Sequence, residues 1–262
     1  MKALRLIVPA LLCAAMASCT VKEDRGPCPC ILDIYLENSR DFSDRLVVSG
    51  WNSRSDRLFL DRIAPEQFPD AYSKKVEKGF MHVSAYCGND AMSLKGDKLV
   101  IPEGKPCDPV WAYRGGTVNA TGESAEDHII LHKQYALIHV KVGVAGIMYA
   151  DVVLRAKGNS NGFDISSLEP SHGDFHCFAS LDSDMNYLIC VPRQYDDSLE
   201  LEVFIDGVLS RTVRAGELIA NSGYSWDRED LDDIYLSLNL FNPGQASLGI
   251  SDWDTEAQTL TL

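Results

Sequence analysis

The sequence predicts an all-β protein built from antiparallel β-sandwiches. Three observations carry that prediction. Apolar residues recur with a period of two in run after run, turn-forming Gly, Pro, Asn and Asp separate the runs, and no long stretch holds a helical period. Apolar residues make up 45% of the 262 positions, enough to fill real cores, and the length leaves room for one large or two modest domains.

The strands follow in chain order. Cys30, Leu32, Ile34 and Leu36 face one way, while Ile31, Asp33, Tyr35 and Glu37 face the other. Met81, Val83, Ala85 and Cys87 repeat the pattern, as do Ala136, Ile138, Val140, Val142 and Val144. Leu199, Leu201, Val203 and Ile205 alternate with Glu200, Glu202 and Phe204, and Asp206-Gly207 then turns a hairpin into Val208–Val213. Ile234, Leu236, Leu238 and Leu240 form a further run, and Leu248 to Trp253 a last one. The best helix candidates are short: Pro65–Lys78, and Asp227–Asp232 with Ser225 as its cap.

Residues 1–18 stand apart from this pattern. Lys2 and Arg5 precede an apolar run, Leu6–Ala17, that falls short of the ~20 residues a membrane span needs. It has the proportions of a cleaved export signal. Met16-Ala17-Ser18-Cys19 resembles a bacterial lipobox, in which the cysteine sulfur takes a diacylglycerol and the freed amine is acylated. Lipidation is therefore expected at Cys19, and acyl chains at ~0.8 kcal/mol per buried methylene would hold the chain on a bilayer durably. Residues 19–27 then read as a lipidated tether, and Lys22-Glu23-Asp24 resembles the acidic signal that sends some lipoproteins to the outer face of the outer membrane. Beyond it, a division near Lys133 gives an N-terminal sandwich over 28–132 and a C-terminal one over 133–262. The polar stretch Gly115–Asp127 closes one set of strands, and the long run from Tyr135 opens another.

The formal net charge is −14, and loss of Lys2 and Arg5 with the leader takes it to −16. Nucleic acid and anionic membrane surfaces repel such a chain, and no basic patch with interleaved aromatics opposes that. Nucleic-acid binding is excluded.

Of eight cysteines, Cys13 leaves with the leader and Cys19 takes lipid. Cys28, Cys30, Cys87, Cys107, Cys177 and Cys190 remain, and an even number in an exported chain invites disulfides, with about 15 complete pairings open. Cys177 with Cys190 and Cys87 with Cys107 are nearest along the chain. Cys28 and Cys30 share a strand face, so a bridge between them would be strained. A lone Cys-Pro-Cys also lacks the spaced ligand pairs of a zinc site.

Other strings fail as chemistry. Gly158-Asn159-Ser160-Asn161-Gly162 fits the nucleophile-elbow pattern, but no helix follows it, and its residues read as a hairpin loop. Asp182-Ser183-Asp184 opens like an EF-hand, yet Tyr187 stands where Gly is needed and Arg193 where Glu is needed, leaving an acidic turn. His128 with His132, and His172 with His176, are spaced four apart without a carboxylate in ligand register. Asp196-Asp197 and Asp232-Asp233 are neighbours that point to opposite strand faces, so neither can act as a facing acid pair. Asn119-Ala120-Thr121 is a glycosylation sequon of little weight in a bacterial lipoprotein. No catalytic residue, metal or cofactor is expected.

Cys19, Lys22-Glu23-Asp24-Arg25 and Cys28-Pro29-Cys30 lead straight into the first strand. That block resembles the mature N-terminus of the fimbrillin-associated anchor family, the FimB-like lipoproteins of type V pili. Gly216-Glu217-Leu218-Ile219, Ser222-Gly223-Tyr224-Ser225-Trp226, Asp230-Leu231-Asp232-Asp233-Ile234-Tyr235 and Ser251-Asp252-Trp253 are similar to the family's closing pattern, two strands after a Gly-Tyr-x-Trp turn. The resemblance implies two transthyretin-like β-sandwich domains in an anchor or accessory subunit, lipid-anchored and exposed at the cell outer membrane. It also implies joints to other fimbrial subunits in which a strand of one fills a groove of the next. Leu260 and Leu262 alternate with Thr259 and Thr261, so the tail Thr255–Leu262 is expected to pair with a sheet edge of its own domain or a neighbour's. The competing function is a surface glycan-binding lipoprotein of a nutrient uptake system, with Trp51, Trp111 and Trp226 as stacking platforms.

Overall fold

The computed structural model describes residues 28–38, 45–64, 71–143, 151–239, 245–250 and 258–261. It is almost entirely β, with strands arranged in four sheets. The first sheet sets Cys30–Leu36 between Ser124–Ile129 and Tyr72–Val76. The second runs His132–Lys133, Trp111–Tyr113, Phe80–Cys87, Leu46–Asn52, Arg57–Ile63, with Thr117–Asn119 also on Phe80–Cys87. These two sheets close on one core. Cys30, Leu32, Ile34 and Ile129 on one side meet Leu46, Val48, Met81, Val83, Ala85 and Cys87 on the other.

The alternation read in the first strand is what the sheet needs. Cys30, Leu32 and Ile34 are fully buried, while Ile31 is 44% exposed. Met81, Val83, Ala85 and Cys87 likewise share the core, but the same strand also buries Tyr86 on its opposite face. Val47 and Trp51 on the neighbouring strand do the same. The second sheet is therefore buried on both faces in its middle. Its outer face joins a second, larger core.

That core belongs mainly to the C-terminal half. One of its sheets runs Ser180–Leu181, Tyr187–Pro192, Tyr135–Gly143, Ile234–Asn239, Gln245–Ile250, Gln258–Thr261. The other is centred on the long strand Val152–Asp164, flanked by Pro170–Phe178 on one side and Glu200–Ile205 with Val208–Val213 on the other. Ala136, Ile138 and Val140 face Leu154, Ala156, Leu201 and Val203 across it. Pairing is antiparallel except for two parallel contacts, Cys30–Leu36 with Ser124–Ile129 and Tyr135–Gly143 with Ile234–Asn239.

One connection crosses between the halves. The hairpin Ser93–Lys95/Lys98–Val100 comes from the N-terminal half, yet Leu99 pairs with Phe163 in the C-terminal sheet. Leu99 is fully buried there, and Met92, Ile101, Cys107 and Val110 enter the same core around it.

Three local expectations change. Tyr72–Val76, inside the expected helix Pro65–Lys78, is an edge strand, and the start of that segment lies outside the described residues. Its Lys74 reaches Asp61 of the facing sheet at 2.7 Å, so alternate residues serve a sheet rather than a helical stripe. Residues 227–232 form a loop, Ser225 accepting from the Asp227 amide at 3.2 Å without a helix following. The one helix among the described residues, Ala215–Asn221, closes an end of the larger core with Ala215, Leu218 and Ile219.

Candidate functional site

The sequence-predicted lipidation site, Cys19, and the acidic Lys22-Glu23-Asp24 lie outside the described residues. Part of the tail is described: Gln258–Thr261 pairs antiparallel with Gln245–Ile250 of its own sheet, as the outermost strand.

The chemical strings resolve into structural roles. Gly158-Asn159-Ser160-Asn161-Gly162 is not a loop but part of the long strand, at the point where its partner changes. Residues up to Lys157 pair with Glu200–Ile205, and from Gly162 the partner is Lys98–Val100. Two register shifts fall between these stretches. Buried Ser160 accepts from the Tyr195 amide at 2.7 Å, and the Asn161 carbonyl accepts from the Ile101 amide at 2.8 Å, so side chain and backbone together seal the seam. Gly162 is needed there because a Cβ would stand 2.0 Å from the Leu99 carbonyl oxygen.

Asp182 organises the expected acidic turn by accepting from the Asp184 and Asn186 amides, both at 2.8 Å. His128 stacks on Tyr35 and meets Glu37 at 2.6 Å, while His132 meets Asp230 at 2.9 Å. The pair spaced four apart thus serves two separate contacts. Trp51, expected as an exposed aromatic, is only 8% exposed, and its indole N–H reaches the Ser49 and Ser84 hydroxyls at 3.2 Å. Trp111 and Trp226 are half-buried, packed edge-on against Tyr135 and Tyr224 respectively. A burial of this kind leaves no open platform at Trp51.

What the structure does bring together is a clasp at the junction of the halves. Asp230 accepts from the Lys133 amide at 2.7 Å as well as from His132. Asp233 holds Lys133 Nζ at 2.5 Å and the Leu137 amide at 3.0 Å. Gln134 is buried, and its Oε1 accepts from Nη2 of Arg193 at 2.9 Å. Arg193, itself 8% exposed, also donates to the carbonyls of Trp226 and Arg228, the latter at 2.8 Å. The link between the halves is therefore gripped on both sides by the loop 226–233. Burial pulls the Arg193 guanidinium below its ordinary pKa, opposed by Asp227 and Asp230 nearby. Burial also raises the Asp230 carboxyl, but the hydrogen bonds from His132 and Lys133 outweigh it and leave the group below the ordinary value.

Beside the clasp lies a cleft of about 490 Å³ between the halves, lined by Tyr113, Arg114, Ile130, Gln134, Leu168, Glu169, Arg193 and Arg228 among others. It mixes guanidinium groups, carboxylates and apolar surface. Elsewhere in the C-terminal half, Val208–Val213 is an edge strand whose Val208 and Leu209 are 69% and 49% exposed. An edge strand with exposed apolar side chains is a template for an incoming strand. The hairpin is legible in the sequence, whereas the clasp is not, because its members lie about 100 residues apart.

No protein-family model matches the chain, and no curated protein matches it. Solved structures do share its fold. The fimbrial anchor protein Mfa2 from Porphyromonas gingivalis aligns with a TM-score of 0.60 at 11% identity, covering 86% of this chain and 98% of that one. A provisionally assigned adhesin from Bacteroides ovatus aligns with a TM-score of 0.62 at 11% identity over 92% and 97%. A protein from Bacteroides thetaiotaomicron, provisionally described as polysaccharide-binding, aligns with a TM-score of 0.61 at 12% identity over 87% and 100%. The expected all-β sandwich fold is the fold of this chain and is shared with these three structures, none of which is described as an enzyme.

Proposed function

We propose that this chain is a fimbrial anchor or accessory subunit, fixed to the outer membrane by lipid on Cys19 and joined to neighbouring subunits by strand pairing. The observation that carries the proposal is the likeness to the fimbrial anchor Mfa2 over nearly the whole of both chains. The lipobox-like Met16-Ala17-Ser18-Cys19 supplies the anchor, and the exposed apolar edge Val208–Val213 supplies a surface for a partner's strand. Such a joint requires main-chain hydrogen bonds for affinity and side-chain pockets for register, and no catalytic group. The two sandwiches, divided near residues 132/133, then act as a rigid spacer between lipid and fibre.

Electron microscopy of cells producing Cys19→Ser protein in place of wild type tests the proposal. Fimbriae shed into the medium are expected, with the protein leaving the membrane fraction. Fimbriae attached as in wild type would refute it.

A second reading rests on the mixed-character cleft between the halves and on the likeness to the protein provisionally described as polysaccharide-binding. A pull-down under mild detergent separates the two. Co-purifying fimbrial subunits favour the anchor, whereas retention on polysaccharide without such partners favours the glycan reading.

A further inference from the structure

The sheet centred on Val152–Asp164 buries Leu154 and Ala156 in the core, so Arg155 and Lys157 point to its outer face. A groove of about 610 Å³ lies there, walled by the inserted hairpin with the residues that follow it on one side and by Pro170–Phe178 on the other. It shares no lining residue with the cleft beside the clasp.

The groove has a fixed floor and a rim of unspent polar groups. Arg155 donates through Nε to Glu202 at 2.6 Å, and its guanidinium lies 5.9 Å from the Phe178 ring and 5.2 Å from the Phe204 ring. Held by a carboxylate and two aromatic rings, the fork is already placed, and its two NH₂ groups make no hydrogen bond with the described residues. Asn161 lines the same groove, lying over Gly173, where a Cβ would collide with its amide. Lys95, Glu103, Lys157, Asp174 and His176 complete the lining, and among the described residues none of them makes an ion pair or a side-chain hydrogen bond. Beside Arg155, the Phe178 ring is 59% exposed on a sheet face that is ordinarily polar.

The geometry points to this groove as a binding site for an uncharged saccharide. Ammonium and guanidinium groups only donate, and ionised carboxylates only accept. A ligand that uses both must offer closely spaced groups that do both, as sugar hydroxyls do. Charge argues against an anionic ligand: Glu202 offsets Arg155, Glu103 and Asp174 offset Lys95 and Lys157, and Glu200 stands opposite Lys157. The exposed Phe178 ring supplies a flat apolar surface for the C–H face of a sugar ring. The volume falls within the range of small-molecule sites. This site shares its ligand class with the glycan reading but not its location, so the two fail separately.

The full mature chain in mild detergent is titrated with lactose, cellobiose, maltose and diacetylchitobiose, and with digalacturonate as the charged comparison, by saturation-transfer NMR. At least one neutral disaccharide is expected to bind at millimolar concentration, and more tightly than digalacturonate. Phe178→Ala and Asp174→Ala, both at exposed side chains, should each weaken that binding by roughly tenfold or more, whereas Phe178→Tyr keeps the ring and should keep the binding. Arg114→Ala, in the cleft beside the clasp, should leave it unchanged. Binding lost in Arg114→Ala and kept in Phe178→Ala overturns this site and leaves the glycan reading standing. A preference for digalacturonate overturns it, and so does a failure of every neutral probe to bind.

Discussion

Replacing Gly162 by Ala isolates the insertion of the hairpin into the C-terminal sheet. In most settings such a change stabilises by roughly 0.4–1 kcal/mol, because the unfolded chain loses freedom. Here the sign reverses. A Cβ on Gly162 would stand 2.0 Å from the Leu99 carbonyl oxygen and 3.1 Å from the Val100 Cα, and these are backbone atoms with no rotamer to escape into. The residue also has φ +146°, a conformation close to glycine's own, where another residue costs about 1–3 kcal/mol. Relief requires the hairpin to back away, which re-exposes part of Leu99, fully buried at present. Complete exposure of a leucine costs about 1.5–3 kcal/mol, so half of it adds roughly 1.

The net expectation for Gly162→Ala is a loss of about 2–3 kcal/mol. For a chain of this size that lowers Tm by roughly 4–12 °C. Urea unfolding followed by tryptophan fluorescence gives the energy, and hydrogen exchange gives the location. Protection should fall first at the Leu99 and Phe163 amides, where the two strands exchange partners. Gly96→Ala is the control. It lies at the tip of the same hairpin with φ +66° and nothing within 4 Å of a Cβ, so it carries a backbone penalty of about 1–2 kcal/mol and no clash. If Gly162→Ala left both the urea midpoint and the exchange at residues 98–100 as in wild type, the hairpin would not be held where the strand pairing puts it.

Other perturbations test the clasp and the edge. Arg193→Met keeps the stem but leaves Gln134 Oε1 and the carbonyls of Trp226 and Arg228 without their donor, and should cost about 1–3 kcal/mol by chemical denaturation. The Asp230 carboxyl sits below its ordinary pKa in the folded state, so its stabilisation is full above the unfolded value near about 3.9 and is lost as pH falls through the folded one. Asp230→Asn should therefore differ from wild type by a constant amount at neutral pH and converge with it in an acid titration below about pH 4. Leu209→Lys puts a charge on the exposed edge and should reduce co-purification of partner subunits while leaving Tm within about 0.5 kcal/mol equivalent of wild type.

The sandwiches were legible where a strand has one wet face, because burial then prints a period of two directly on the residues. Cys30, Leu32 and Ile34 are the clearest case. The period also named the buried set of Phe80–Cys87, but it could not say that Tyr86 on the opposite face feeds another core. Tyr72–Val76 carries no strand signal, because Ser73, Lys74 and Lys75 are polar on both faces at a sheet edge and leave no alternation. Helix Ala215–Asn221 did carry a signal, with Ala215, Leu218 and Ile219 spaced at helical intervals, yet seven residues hold too few turns to separate it from a loop. Asp232 and Asp233 do not act as a facing pair, and Asp232 pairs locally with Arg228. Asp233 instead reaches Lys133, and nothing local in the sequence encodes a contact across that separation.

The proposed division at 132/133 does not divide the stability of the chain, because the hairpin over 93–100 belongs to a C-terminal sheet. Residues 133–262 alone would lack Lys98–Val100, leaving the backbone of Gly162–Asp164 without its ladder and opening a space where Leu99, Met92 and Ile101 now pack. Losing one buried leucine typically costs about 2–5 kcal/mol, and several such groups together approach the whole stability of an ordinary domain. The isolated fragment should therefore be unfolded or molten by near-UV circular dichroism, and appending residues 91–101 through a flexible linker should restore a cooperative transition. The N-terminal sandwich faces the same test in reverse, since Val47, Trp51 and Tyr86 would turn an apolar face to water. A fragment 133–262 that unfolded as cooperatively as the full chain would mean the hairpin merely rests on the sheet. Tension applied between the two ends would then part the halves before it strained either core.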